Sequence, residues 1–282
     1  MTVAAKLYDD RKCELGEGPL WHPARQQLFW FDILGHRLLS RVAEAALEWR
    51  FDSCHSAAGW IDRDTLMIAS ETGLWRFEID TGHRRLIAPL EPDDPGTRSN
   101  DGRADPQGGF WIGTMGFNAE KGAGAIYRFY RGELRKLYSD MTITNSICFA
   151  PDGKTAYFTD TDVGVIMAQT LDADGWPMGD PATFIDLSDA DFGADGSVVD
   201  AAGNLWNAQW GAGRVTCYGA DGALIKTVTV PTPQTTCPAF GGADLTDLYV
   251  TSAAEGIDDP NAGKTYVFSS VGKGQTEHQI IL

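Results

Sequence analysis

The sequence predicts an all-β protein, a six-bladed β-propeller with a central metal-binding channel, and three observations carry the prediction. Short apolar or aromatic runs recur along the whole length: LFWFDI (28–33), LMIAS (66–70), FWIGTM (110–115), AYFTDT (156–161), LWNAQW (205–210) and LYVTSA (248–253). Each follows a turn-forming cluster such as APDGKT or DAAGN, the pattern of a strand entered from a tight hairpin. Aligned on Phe29, Leu66, Trp111, Tyr157, Trp206 and Tyr249, the six runs repeat every 37 to 49 residues, a spacing in the range of propeller blades.

A repeat of that length has room for four short strands. Further hairpin pieces lie between the markers, among them GLWRFEID (73–80), GAIYRFYRGELRKLY (124–138) and GRVTCYGADGALIKTVTV (213–230). A β-sandwich with irregular loops is the competing architecture; the evenness of the period favours the closed ring. Closing the ring requires the segment Lys6–Asp9 to pair with the last blade around Thr265–Ser269. Nothing reads as a linker, so a single propeller domain is expected over residues 1–282.

Composition narrows the partners. With 43% hydrophobic and 22% charged residues the chain is not mainly disordered, and 32 glycines with nine tryptophans favour a turn-rich β protein over a helix bundle. A net charge of −16 repels nucleic acid and anionic membranes, so neither is an expected partner; a monomer or weak oligomer is the expected state. Five scattered cysteines, with no C-x-x-C, make neither a disulfide framework nor a zinc knuckle. The N-terminal stretch has no signal-peptide core and no window approaches a membrane span, so the expected compartment is the cytoplasm.

Several familiar motifs fail on inspection. Two GKT triplets, at 153–155 and 263–265, lack the glycine five residues upstream that a phosphate loop needs; Cys148 and Asp258 stand there. The stretch TLDADGW lacks the acidic first and twelfth positions of a calcium loop, where Thr170 and Pro181 stand. There is no G-x-S-x-G elbow and no H-x-x-x-H pair.

One constellation survives. Glu17 and Asn145 lie twelve residues before their markers, and Asn100 and Asp195 eleven before theirs. Nearly equivalent places in four blades form a ring about a propeller axis, so four polar side chains from distant segments converge. Asn145 sits in an otherwise apolar stretch, ITNSICFAP, where a polar group needs a partner that offsets its desolvation. Two carboxylates with one or two amide oxygens make a hard-oxygen site for one divalent cation: calcium, magnesium, manganese, iron(II) or zinc. Taken singly, each residue reads as well as a turn former capping local backbone. Two more ring places fall near Cys54-His55 and Cys237-Pro238. There His55 reads as packed or channel-lining, and Cys237 as a small buried apolar residue or a soft ligand.

The segments ELGEGPLW (14–21), RSNDGRADPQGGFWIGTM (98–115), ITNSICFAPDGKTAYFTDT (143–161) and GSVVDAAGNLWNAQWGAGRVTCY (196–218) resemble the SMP-30/gluconolactonase/LRE-like, or regucalcin, family. The resemblance implies a six-bladed propeller with one divalent metal in its channel, ligated at Glu17, Asn145 and Asp195. It places substrate binding at Arg98 and Asn100, with Asp101 in the same loop. Animal members carry a glutamate shortly after G-T-M; here Asn118 stands in its place, which bears on the substrate hydroxyls rather than on the metal. The implied activity is hydrolysis of a sugar lactone to the aldonic acid, a carboxylic ester hydrolysis. The metal polarises the carbonyl and Asp195 serves as general base. A non-catalytic calcium-binding or regulatory propeller is the alternative.

Overall fold

The strand-length runs become twenty-four β-strands in this computed structural model, which describes residues 4–282. Blade one is β2 (Gly16–His22), β3 (Gln27–Asp32), β4 (Arg37–Val42) and β5 (Ala45–Arg50). Blade two is β6 (His55–Asp62), β7 (Thr65–Ser70), β8 (Gly73–Glu78) and β9 (Arg84–Pro89). Blade three is β10 (Thr97–Ala104), β11 (Phe110–Gly116), β12 (Gly124–Tyr130) and β13 (Glu133–Met141). Blade four is β14 (Thr144–Phe149), β15 (Thr155–Asp160), β16 (Val165–Thr170) and β17 (Ala182–Asp186). Blade five is β18 (Gly193–Val199), β19 (Leu205–Trp210), β20 (Arg214–Tyr218) and β21 (Leu224–Thr229). Blade six is β22 (Thr235–Gly241), β23 (Asp247–Ser252) and β24 (Thr265–Ser269), completed on its outer edge by β1 (Lys6–Asp9). Lys6 lies opposite Val267 and Leu7 opposite Tyr266, so the chain's two ends close one blade as the sequence requires. Among the described residues no helix is long and apolar enough to cross a membrane.

Burial grades outward within each blade. The second strands β3 and β7 are buried at every position, which is why their sequences read as unbroken apolar runs. The fourth strands β5 and β21 face water and are mostly exposed. Aromatic markers on second strands reach forward onto the first strand of the next blade. Trp111 meets Phe149 edge-on, Trp206 meets Phe240 edge-on, and Tyr249 stacks on Trp21 across the closure, each at 5.6 Å between ring centroids. Such pairs contribute about 0.5–1.5 kcal/mol beyond their buried area.

The marker Leu66 is out of phase by one residue. It packs back into the cluster with Phe29 and Phe77, whereas Met67 faces forward, with Ala104 and Ile112. Side chains alternate faces along a strand, so a one-residue shift reverses the direction, and an all-aliphatic run such as LMIAS offers no aromatic to fix the phase.

The first strands β2, β6, β10, β14, β18 and β22 pack on one another in chain order, with β22 returning to β2, and so surround the axis. All six are interrupted at the same level by a register shift against their second strands, as between Glu17 and Leu20 or Asn145 and Cys148. These bulges open one end of the axis. The C-terminal strap, residues 271–282, crosses the other. Gln275 Nε2 donates to the carbonyls of Phe149 and Val199, Ile280 N–H donates to Trp60 O, and Ile281 N–H donates to Gly108 O.

Candidate active site

The bulges aim the ring residues. In β2 the residue after Glu17 is Gly18, with φ of 52°, and a Cβ there would lie 2.1 Å from the Ser56 carbonyl oxygen, so only glycine fits. In β14 the residue after Asn145 is Ser146, with φ of 60°; its hydroxyl donates to the Asp195 carbonyl at 2.6 Å. A left-handed residue in a bulge re-aims the neighbouring side chain, here toward the axis. The offsets of twelve and eleven read from the sequence are this stagger: Glu17 and Asn145 precede the bulge, while Asn100 and Asp195 lie within it.

Glu17, Asn100, Asn145 and Asp195 converge on one axial pocket of about 180 Å³, together with Arg98, Thr161 and Glu255. Leu15, Met115, Ile143 and Trp210 form its apolar wall. A relay of amides fixes the polar floor. Arg98 Nη1 donates to Asn100 Oδ1 at 2.8 Å, Asn100 Nδ2 donates to Asn145 Oδ1 at 3.1 Å, and Asn145 Nδ2 donates to Thr161 Oγ1 at 2.9 Å. Asn145 Oδ1 keeps a second lone pair free. Arg98 Nε is buried with no partner, an unspent donor on a pocket residue.

Charge in this pocket is out of balance. Glu17 and Asp195 are both buried, and among the described residues no side chain donates to either carboxylate. Burial holds the Glu17 carboxyl well above the usual carboxylate range, and the charge of Asp101 adds to the effect. Burial does the same to Asp195, reinforced by Glu17 and Asp101; the Gly196 N–H and the charge of Arg98 oppose. Two carboxylates that repel each other in a buried pocket, beside an amide oxygen with a free lone pair, fit a hard divalent cation. Among the described residues no three His, Cys, Asp or Glu side chains form a metal-sized cluster, so the amide is needed to complete such a set.

The other residues singled out from the sequence lie elsewhere. Asp101 is beneath the pocket rather than in its wall. Its carboxylate accepts from Ile147 N–H at 2.7 Å and from Gly102 N–H at 2.9 Å, and burial pushes it up to about 6. Asn118 is exposed on the loop after β11, where its Nδ2 donates to Glu120 Oε1 at 2.8 Å; it does not line the pocket. His55 turns away from the axis: it stacks on Phe51, its Nδ1 is 3.0 Å from Ser53 O, and burial pulls it down to about 4. Cys54 Sγ lies 3.5 Å from His36 Nε2, outside the pocket wall. Cys237 is buried against Gly196, and burial pushes its thiol up.

Sequence reasoning missed Met115, Thr161 and Trp210, although a signal was present. Each stands four residues after its marker, where the second strand turns over at the pocket mouth. Glu255, on the long loop between β23 and β24, carried no such signal.

The sequence profile of the SMP-30/gluconolactonase/LRE-like region matches residues 15–254. An L-arabinolactonase of Azospirillum brasilense is 37% identical, covering 97% of this chain and 92% of its own. A pentonolactonase of Haloferax volcanii is 34% identical, covering 94% and 89%. The crystal structure of a calcium-binding protein, regucalcin, from Agrobacterium tumefaciens superposes with a TM-score of 0.97 at 43% identity, over 99% of this chain and 98% of that one.

Proposed function

The chain belongs to the SMP-30/gluconolactonase/LRE-like family, and we propose that it hydrolyses a sugar lactone to the aldonic acid with a divalent cation held by Glu17, Asn145 and Asp195. The observation that carries this reading is the axial pocket itself, with two mutually repelling buried carboxylates facing an oriented amide oxygen and a buried arginine. A bound divalent cation polarises an ester carbonyl and makes a bound water more acidic.

The protein's own groups do the rest. Asp195 takes a proton from the attacking water as its oxygen adds to the lactone carbonyl carbon. The bond from that carbon to the ring oxygen then breaks, and the ring oxygen takes up a proton to leave a hydroxyl beside the new carboxylate. Arg98, with its unpartnered Nε, donates to the oxygen that gathers negative charge. Asn100 holds Arg98 and Asn145 in register through a hydrogen bond to each, with a third to the Thr144 carbonyl. Trp210 offers an aromatic face to the C–H side of the sugar, and Glu255 an acceptor for a hydroxyl. Asn118 acts only from the rim, as a tuner of preference.

A pocket of about 180 Å³ suits a single small ring, and two of the relatives are named for five-carbon lactones, so pentonolactones are the first substrates to try. The test is proton release in a pH-stat over five- and six-carbon lactones, with and without EDTA. Hydrolysis that stops on chelation and returns with a divalent ion is the expected result. Hydrolysis that survives exhaustive chelation removes the cation, and cation binding without hydrolysis leaves a calcium-binding propeller.

A further inference from the structure

Beneath the pocket the axis carries a second set of charges. Arg103, near the end of β10, is buried and pairs with Glu277 of the C-terminal strap, 174 residues away in the chain. Trp60 Nε1 pins the strap at this point by donating to the Glu277 carbonyl at 2.8 Å. The cavity left here is about 20 Å³, enough for one water and no ligand. Above Arg103 sits Asp101, whose carboxylate is held by backbone N–H groups alone. Arg103 stands on β10, the strand that carries Arg98 and Asn100 into the pocket, and Asp101 lies between them, bonded to Ile147 N–H two residues after Asn145; the charge of Arg103 acts on Asp101, and that of Asp101 on Glu17 and Asp195. Ascending the axis, the order is acid, base, acid, then the paired acids of the pocket.

We infer that Arg103 and Glu277 are positioning residues for the cation site: the strap sets the net charge beneath Glu17 and Asp195 and so tunes divalent-cation affinity. The inference rests on the cation reading proposed above. Asp101, Arg103 and Glu277 together carry one negative charge. Removing the charge of Glu277 leaves none, and a cation above loses attraction. Removing Arg103 and Glu277 together restores one, although the ion pair is gone. Affinity therefore follows charge and not the presence of the pair, which a merely structural strap does not predict.

The experiment is calorimetric titration of the metal-free full-length chain with calcium and, separately, manganese(II), with the metal-free Tm recorded for each variant. Glu277→Gln is expected to weaken binding about tenfold, within the usual range of couplings between sites, and Arg103→Gln/Glu277→Gln to return within about threefold of wild type. An unchanged Kd in Glu277→Gln, or a double variant as weak as the single one, overturns the inference and leaves the strap a structural plug. Should Glu277→Gln fail to fold, Arg103→Gln alone decides: binding tighter than wild type supports the inference, and unchanged or weaker binding overturns it. A wild-type chain that binds neither ion overturns the cation reading itself, and this inference with it; a wild type that binds while the variants do not differ overturns the inference alone.

Discussion

The two ends of the propeller axis are built from the same six strands and differ in how their polar groups are satisfied. At the mouth, Glu17 and Asp195 are buried without side-chain donors, Arg98 keeps a buried Nε unpaired, and about 180 Å³ of space separates them. At the base, Gln275 satisfies two carbonyls, Glu277 meets Arg103, Gln279 donates to Ile61 O, and about 20 Å³ remains. A buried polar group without a partner costs free energy that folding must offset elsewhere. The mouth adds two carboxylates without side-chain donors to its unpaired arginine nitrogen, whereas at the base Arg103 Nε is also unpaired but the arginine's charge is met by Glu277, so more of the deficit of partners lies at the mouth, where a ligand can supply them.

Substitutions at each end test the contrast. The largest expected effect is at Asp195. Asp195→Asn keeps the shape but cannot take a proton, and kcat should fall roughly 10²- to 10⁴-fold with little change in Tm. Turnover within about threefold of wild type removes Asp195 from the base role. Arg98→Ala should lower kcat/KM by about 2–3 kcal/mol across all lactones, the cost of a charged donor lost from a buried site. An unchanged value would place its free nitrogen outside the reaction. Glu17→Gln should weaken cation binding at least tenfold, since even outer partners of a metal ligand are worth that much; an unchanged titration would take Glu17 out of the set. At the base the readout should reverse. Gln275→Ala should lower stability by about 1–3 kcal/mol in denaturant unfolding, because two buried carbonyls lose their donor, while kcat stays as it was. A loss of kcat without a loss of stability there would erase the distinction between the ends. The smallest effect is expected at Asn118, exposed and tied to Glu120. Asn118→Glu should shift the ratio of kcat/KM between five- and six-carbon lactones by less than about threefold, and a larger shift would bring that loop into the pocket.

Much of this contrast was legible in the sequence, and the illegible part has a physical cause. Hairpin periodicity places residues along strands, so it found the blades, the closure of β1 on β24, and the four ring residues. It took offsets of eleven and twelve as nearly equivalent, although the difference separates residues that precede the bulge, Glu17 and Asn145, from those within it, Asn100 and Asp195. The resemblance put Asp101 with Arg98 and Asn100 because it follows them in the loop, but loop neighbourhood does not report the direction a side chain takes at a bulge, and Asp101 lies beneath the pocket rather than in its wall. Nor does periodicity report tertiary paths outside the repeat. The strap's last eight residues, QTEHQIIL (275–282), contain neither strand period nor turn former, and their importance comes only from the carbonyls and the arginine they cover.

The pairing of β1 with β24 also sets an order of events at the ribosome. β1 emerges roughly 260 residues ahead of its partner. At ordinary synthesis rates that is about 15–50 s during which five blades can assemble while β1 waits for the other three strands of the sixth. An unpaired strand left waiting is an invitation to pair with the wrong edge. β1 answers with brevity and charge: four residues, Lys6 at one end and Asp9 at the other. The nascent chain therefore carries its own closing strand in a form poorly suited to any edge but the one that arrives last.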